Sequence, residues 1–159
     1  MINHQRLRVY IAAPWVHKAD AAAAKVQIEA AGFEVVSSWI TSHVDVDEAQ
    51  PEAAAILREQ ALKDMENLDR ADIVVVLNLE RSEGKSFEAG YAYGHLKSVV
   101  VVGGKENNIF WHLPAMDVVS TLEEAVKALH AIEARVKQLV EHLQQQMFAR
   151  MPPISGKVN

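Results

Sequence analysis

The sequence predicts an α/β domain, a doubly wound five-stranded parallel sheet of order 2-1-3-4-5 with helices on both faces. Three observations carry this. Short β-branched runs, LRVYIAA, ADIVVVL and SVVVV, read as buried strands. Stretches of helical periodicity alternate with them. The first strand–helix–strand unit is compact, which implies parallel strands and a right-handed crossover. In such a sheet the connection reverses direction between strands one and three, and ligands bind at the carboxyl ends of the strands there.

The elements follow in order. Residues 7–13 form the first strand, stopped by Pro14 and Trp15. Residues 18–31 are an alanine-rich helix with Gly32 as its stop signal. Residues 33–38, FEVVSS, form the second strand. The connection 39–51 is polar and acidic after Ile40; Asp45, Asp47 and Glu48 read as a solvated loop in front of a helix rather than a metal site. Pro51 suits the start of that helix, where Leu57, Ala61, Met65 and Leu68 step by four and three.

The stretch 71–95, ADIVVVLNLERSEGKSFEAGYAYGH, organises the chain. It reads as a buried strand, a short polar loop and a helix starting at Gly84, with Glu88 in its first turn. Ala89, Gly90, Ala92 and Gly94 keep one face small. SVVVV is the fourth strand, residues 116–119 the fifth. TLEE at 121–124 is a capping box opening the last helix, which runs past Leu143. Residues 1–150 are expected to be one domain and 151–159 a flexible tail.

Composition narrows the function classes. The chain has 159 residues, 50% hydrophobic and 23% charged, which suits one soluble domain with a real core. A net charge of -5 argues against a nucleic-acid surface. With no cysteine, disulfides and thiolate catalysis are excluded, and the composition fits a reducing cytoplasm. No apolar run reaches membrane-spanning length, and MINHQRLR lacks a signal-peptide core. The seven histidines show no ligand spacing, so neither a metal nor a cofactor is expected.

From the residues alone, Glu88 has two readings: a surface carboxylate that complements a helix dipole, or the chemical centre of a site at the sheet edge. The loop SEGKS resembles an anion nest, with Gly84 allowing close approach. It has neither Walker nor dinucleotide spacing.

Four pieces resemble the nucleoside 2-deoxyribosyltransferase family, including its nucleotide N-hydrolase relatives, in order over roughly residues 7–128. They are VYIAAP at 9–14, KDMENLDRAD at 63–72, EGKSFEAGYAYG at 83–94 and ENNIFWHLP at 106–114. The resemblance implies that Glu88 is a nucleophile toward the anomeric carbon of a deoxyribosyl group. It implies that Asp64 handles the base or its proton and that Tyr10 orients the nucleophile. Ala13, Pro14, Trp39, Ser82 and Gly84 become substrate-binding candidates, with Asn108, and Asn107 beside it, as the residue a neighbouring subunit would lend.

A carboxylate beneath the sugar stabilises an oxocarbenium-like transition state. A helix N-terminus and a tyrosine hydrogen bond would both keep it ionised. One departure divides the substrate. Where the transferases carry an acid, six residues before the nucleophile, this chain has Ser82, as the hydrolases do. Yet the hydrolases' arginine-bearing loop after the first strand is absent. The reading is transfer of 2-deoxyribose between nucleobases through a glutamyl intermediate. Hydrolysis of deoxynucleoside 5′-monophosphates is the alternative, and a non-catalytic nucleotide-binding module is the second. The partners expected are nucleosides, nucleotides and nucleobases, and a second copy of the chain in a homo-oligomer, dimer or higher. The small face of 90–94, the pair Phe110-Trp111 and the long last helix exceed what one small domain buries.

Overall fold

The structure is a computed structural model that describes residues 6–42, 46, 49–104 and 108–150. Asp45, Asp47, Glu48, Asn107 and the tail 151–159 lie outside the described residues.

Five strands form one sheet of order β2-β1-β3-β4-β5, and every pairing is parallel. They are β1 (Arg8–Ala12), β2 (Glu34–Val35), β3 (Ile73–Leu77), β4 (Ser98–Val102) and β5 (Met116–Val119). The helices are α1 (Lys18–Ala30), α2 (Ala53–Arg70), α3 (Glu83–Gly94) and α4 (Leu122–Arg150). The chain moves outward from β1 to β2, then back across the sheet. Right-handed crossovers therefore put α1 on one face and α2 and α3 on the other. Among the described residues no helix is long and apolar enough to cross a membrane.

β3 is the middle of the sheet and is buried along its whole length. Its Val74, Val75 and Val76 pair with Tyr10, Ile11 and Ala12 on one side and with β4 on the other. The run of β-branched residues suits a strand covered on both faces. Arg8 and Asp72 lock the near end: the Arg8 backbone N–H and its Nε both donate to Asp72 Oδ2, and its Nη2 donates to Oδ1 at 3.0 Å.

β2 is shorter than the sequence predicts, two residues instead of six. The physical reason lies in two side chains. Ser37 Oγ accepts from the Ile11 N–H at 2.5 Å, and Trp39 Nε1 donates to the Ile11 carbonyl at 3.0 Å. They take the place of a backbone ladder, and the chain turns off into a 3-10 turn over Ser38–Thr41. α3 also differs. It starts at Glu83 with Ser82 as its N-cap, so Glu88 is in the second turn rather than the first. The capping box of α4 is present: Glu124 N–H donates to Thr121 Oγ1, and Ser120 N–H donates to Glu124 Oε2.

Among the described residues of the β4–β5 connection there is a 3-10 turn, Ile109–His112, and no α-helix. Its Trp111 is buried in the core while Phe110 is exposed, so only half of that aromatic pair is free for a partner. α4 lies over β4 and β5 as far as Ile132, the last of its side chains described as buried.

Gly103 ends β4 at φ +119, and a Cβ there would meet the Asn78 carbonyl oxygen at 3.0 Å. Gly90, inside α3, has nothing within 4 Å of its would-be Cβ. Gly103→Ala is expected to destabilise the protein by about 2 kcal/mol or more, through strain and clash with backbone. Gly90→Ala should stabilise it by up to about 1 kcal/mol through helix propensity. Denaturant melts of the two variants check both signs.

Candidate active site

The switch point puts the carboxyl ends of β1 and β3 side by side, and four segments meet there. Tyr10 points from β1 toward the α2 and α3 face. It is fully buried, and its Oη donates to Glu88 Oε1 at 2.6 Å. Glu88 comes from α3 and Asp64 from α2. Asp64 is near enough for its charge to act on both Tyr10 and Glu88. The three residues singled out for chemistry are thus brought to one place by three different elements.

Burial governs their electrostatics. It pushes Glu88 up to about 7; the hydrogen bond from Tyr10 pulls the other way and the Asp64 charge adds to the rise. Burial alone lifts Asp64 to about 6. Tyr10 is raised too, by burial first and then by the two carboxylates, so it stays a hydrogen-bond donor. The expectation of a carboxylate ionised by a helix N-terminus is corrected here. Glu88 lies one turn beyond the orphan N–H groups of α3, and desolvation outweighs the tyrosine bond.

The walls are the loops after β1 and β3. His17 joins them: its Nδ1 is 2.8 Å from Asp20 Oδ2 and its Nε2 is 3.7 Å from Glu80 Oε2. Pro14 is buried and Ala13 half-buried beside the end of β1. Trp39 is not on the surface. It is buried, and its one polar atom is bound to the Ile11 carbonyl. The exposed indole at this rim belongs to Trp15, 49% exposed, with its ring centre 6.0 Å from that of Trp39 and the Lys18 ammonium 4.6 Å above it. The sequence reading used Trp15 only as a strand stop; an aromatic directly after Pro at the switch point was the available signal.

Ser82 and Asn108 are brought together, but in an adjoining cleft. This cleft, of about 640 Å³, is lined by Asn78, Arg81, Ser82, Glu83, Lys85, Ser86, Asn108 and Trp111. Gly84 lies at its edge in the first turn of α3. Asn108 reaches the cleft from its own chain and accepts the Phe110 N–H at 3.0 Å. Ser82 Oγ caps α3 toward the Lys85 N–H at 3.4 Å. Lys85, a loop cation that the sequence offers to a 5′-phosphate together with Ser82, turns inward. It is buried, and its ammonium donates to Asn78 Oδ1 and to the Glu80 carbonyl, both at 2.5 Å. It ties down the loop between β3 and α3 instead of facing solvent. Trp111 Nε1 is buried and has no hydrogen-bond partner among the described residues.

The description "nucleoside 2-deoxyribosyltransferase" belongs to the family model that matches residues 9–121. No curated protein matches the chain. Among solved structures, a conserved protein from Enterococcus faecalis is similar at 18% identity and TM-score 0.58, over 80% of this chain and 99% of that one. A 2-deoxyribosyltransferase from Bacillus psychrosaccharolyticus is similar at 17% and 0.55, over 75% and 90%. A CMP N-glycosidase from Clostridium botulinum follows at 14% and 0.51, over 78% and 98%. At these identities the structures speak for the fold, and all three are covered nearly end to end.

Since the Tyr10 bond favours the ionised form of Glu88, its removal raises the pKa. Tyr10→Phe should therefore move the Glu88 titration to higher pH than in the unaltered protein. Asp64→Asn removes a like charge and should move it lower. Carbon NMR titration of the Glu88 carboxyl checks the two opposite displacements; shifts of the same sign in both variants would contradict this electrostatic account.

Proposed function

Starting from the fact that the chain belongs to the nucleoside 2-deoxyribosyltransferase family, we propose that it moves 2-deoxyribose between nucleobases by way of Glu88. The observation that carries this reading is the 2.6 Å bond from Tyr10 to Glu88 at the switch point. It occupies Oε1 and leaves Oε2 to attack the anomeric carbon. A new C1′–O bond forms as the C1′–N bond breaks, and the bond electrons leave with the base. Asp64, whose carboxyl burial lifts to about 6, supplies the proton that the departing base takes up. An acceptor base then reverses the steps and releases Glu88. A pKa of about 7 leaves a substantial ionised share of Glu88 at neutral pH, and desolvation makes that share a stronger nucleophile. Trp15 offers an apolar face on which a base can stack.

The nucleoside is favoured over the nucleotide by the state of the neighbouring cleft. A 5′-phosphate needs several donors or cations to replace its water. Lys85 is already bound to Asn78 and Glu80, Ser82 caps a helix, and Glu83 opposes an anion. Arg81 and Ser86 line the same cleft and are what supports the second reading, hydrolysis of a deoxynucleoside 5′-monophosphate. A homo-oligomer belongs to the same proposal, because Leu139, Leu143 and Met147 leave the far half of α4 with a well exposed apolar face.

Chromatography of reactions with deoxyadenosine or its 5′-monophosphate, each with and without excess cytosine, tests the proposal. Expected is faster turnover of the nucleoside and a new deoxycytidine peak when cytosine is present. Glu88→Gln should lower kcat by about 10³-fold or more while leaving the fold intact. Preference for the monophosphate, with only free base and sugar phosphate released, would establish the hydrolase reading instead.

A further inference from the structure

α4 carries one apolar stripe that runs its whole length, but the sheet covers only half of it. Leu122, Ala125, Leu129 and Ile132 recur at three- and four-residue spacing and pack on the core. Val136, Leu139, Val140, Leu143 and Met147 continue the same face. They are 43%, 59%, 43%, 49% and 64% exposed. The helix leaves the sheet at a definable point. It begins just after β5, at the carboxyl edge, and by His130 its ring is 5.0 Å from that of Phe33, just before β2. Ile132, the last of its side chains described as buried, thus sits at the amino edge of the sheet, and residues 133–150 project about 27 Å beyond it.

We infer that this overhang pairs with the overhang of a second copy, as an antiparallel helix pair about a twofold axis near residues 140–143. The inference deepens the homo-oligomer part of the proposed function by naming its surface, and it is independent of the chemistry. Two arguments select the occupant. The five side chains expose about 500 Å² per copy, so mutual coverage buries about 1,000 Å² in all, the area at which a specific interface begins. The second argument fixes direction. In a parallel pair, both stripes would face each other along their full length, and both sheets would need the same space between helices 8–10 Å apart. In the antiparallel pair each overhang meets only the other, and the two domains stand at opposite ends. When Val140 of one copy seats against Leu143 of the other, Val136 meets Met147. Glu133 then comes level with Arg150, opposite in charge.

The pairing lies at the amino edge of the sheet, away from Glu88 and Asn108. It therefore does not deliver Asn108 to a partner's site, unlike the assembly expected from the resemblance.

Sedimentation velocity of the full chain at micromolar concentration tests the inference. A dimer is expected. Leu139→Glu/Leu143→Glu should weaken it by about 100-fold or more and yield a monomer with unchanged circular dichroism and melting temperature, since among the described residues neither belongs to the packed core. The chain has no cysteine, so disulfide capture is clean. Val140→Cys/Leu143→Cys should form a covalent dimer on oxidation, while Met147→Cys should not, its two copies being about 16 Å apart along the pair. A monomeric unaltered protein overturns both this inference and the homo-oligomer reading. A dimer indifferent to the Glu substitutions overturns only the inference, and ready capture through Met147→Cys overturns the antiparallel direction.

Discussion

A largely desolvated carboxylate held by a tyrosine hydroxyl is the constraint on which the rest of this structure depends. Burial drives Glu88 toward its neutral form, and the Tyr10 bond is what holds part of it ionised. That bond forms only if β1 stands in one register with β3 and if α3 docks with its second turn over Tyr10. The register is set by Arg8 on Asp72 and by the parallel ladder that pairs Tyr10 with Val74, while Ser37 and Trp39 grip Ile11, the residue next to Tyr10, from the β2 side. The docking of α3 is set by its Ser82 cap and by Lys85, which draws the preceding loop inward. Polar groups that sequence alone would assign to solvent or substrate thus work as fixtures for one hydrogen bond.

The two edges of the sheet divide the labour. The carboxyl edge gathers Tyr10, Asp64 and Glu88 from β1, α2 and α3, with the Trp15 rim and the Arg81 cleft beside them. The amino edge carries ion pairs, Arg8 on Asp72 and Arg70 on Glu34, and the α4 overhang. On the proposed reading, chemistry sits at one edge and self-association at the other, so a change in one need not disturb the other.

The sheet order was legible because its strands have a local signature, whereas Tyr10, Asp64 and Glu88 were singled out by the resemblance and the structure brings the three together. Runs such as IVVVL admit little besides a buried strand. The spacing around Asp64 and Glu88 survives in sequence because it reflects one helix, one strand and one loop. What was not legible depends on side chains crossing between elements. FEVVSS has the composition of a full strand, but Ser37 and Trp39 cut it to two residues by replacing the ladder. Lys85 looks like a surface cation until its two acceptors on the preceding loop are seen. α3 starts one residue earlier than expected, at Glu83 with Ser82 as its cap, which puts Glu88 in the second turn. Periodicity marks the face of a helix but not where the sheet beneath it stops, so the bare half of α4 needed the structure.

The central claim is that Glu88 itself becomes bonded to the sugar. The most direct measurement is intact-mass and peptide-mapping spectrometry of protein quenched in acid during turnover of a slow deoxynucleoside. The account predicts a deoxyribosyl mass increment on the peptide that holds Glu88, absent from Glu88→Gln and discharged when acceptor base is added before the quench. An unmodified peptide during active turnover, or an increment that maps to another residue, would contradict it.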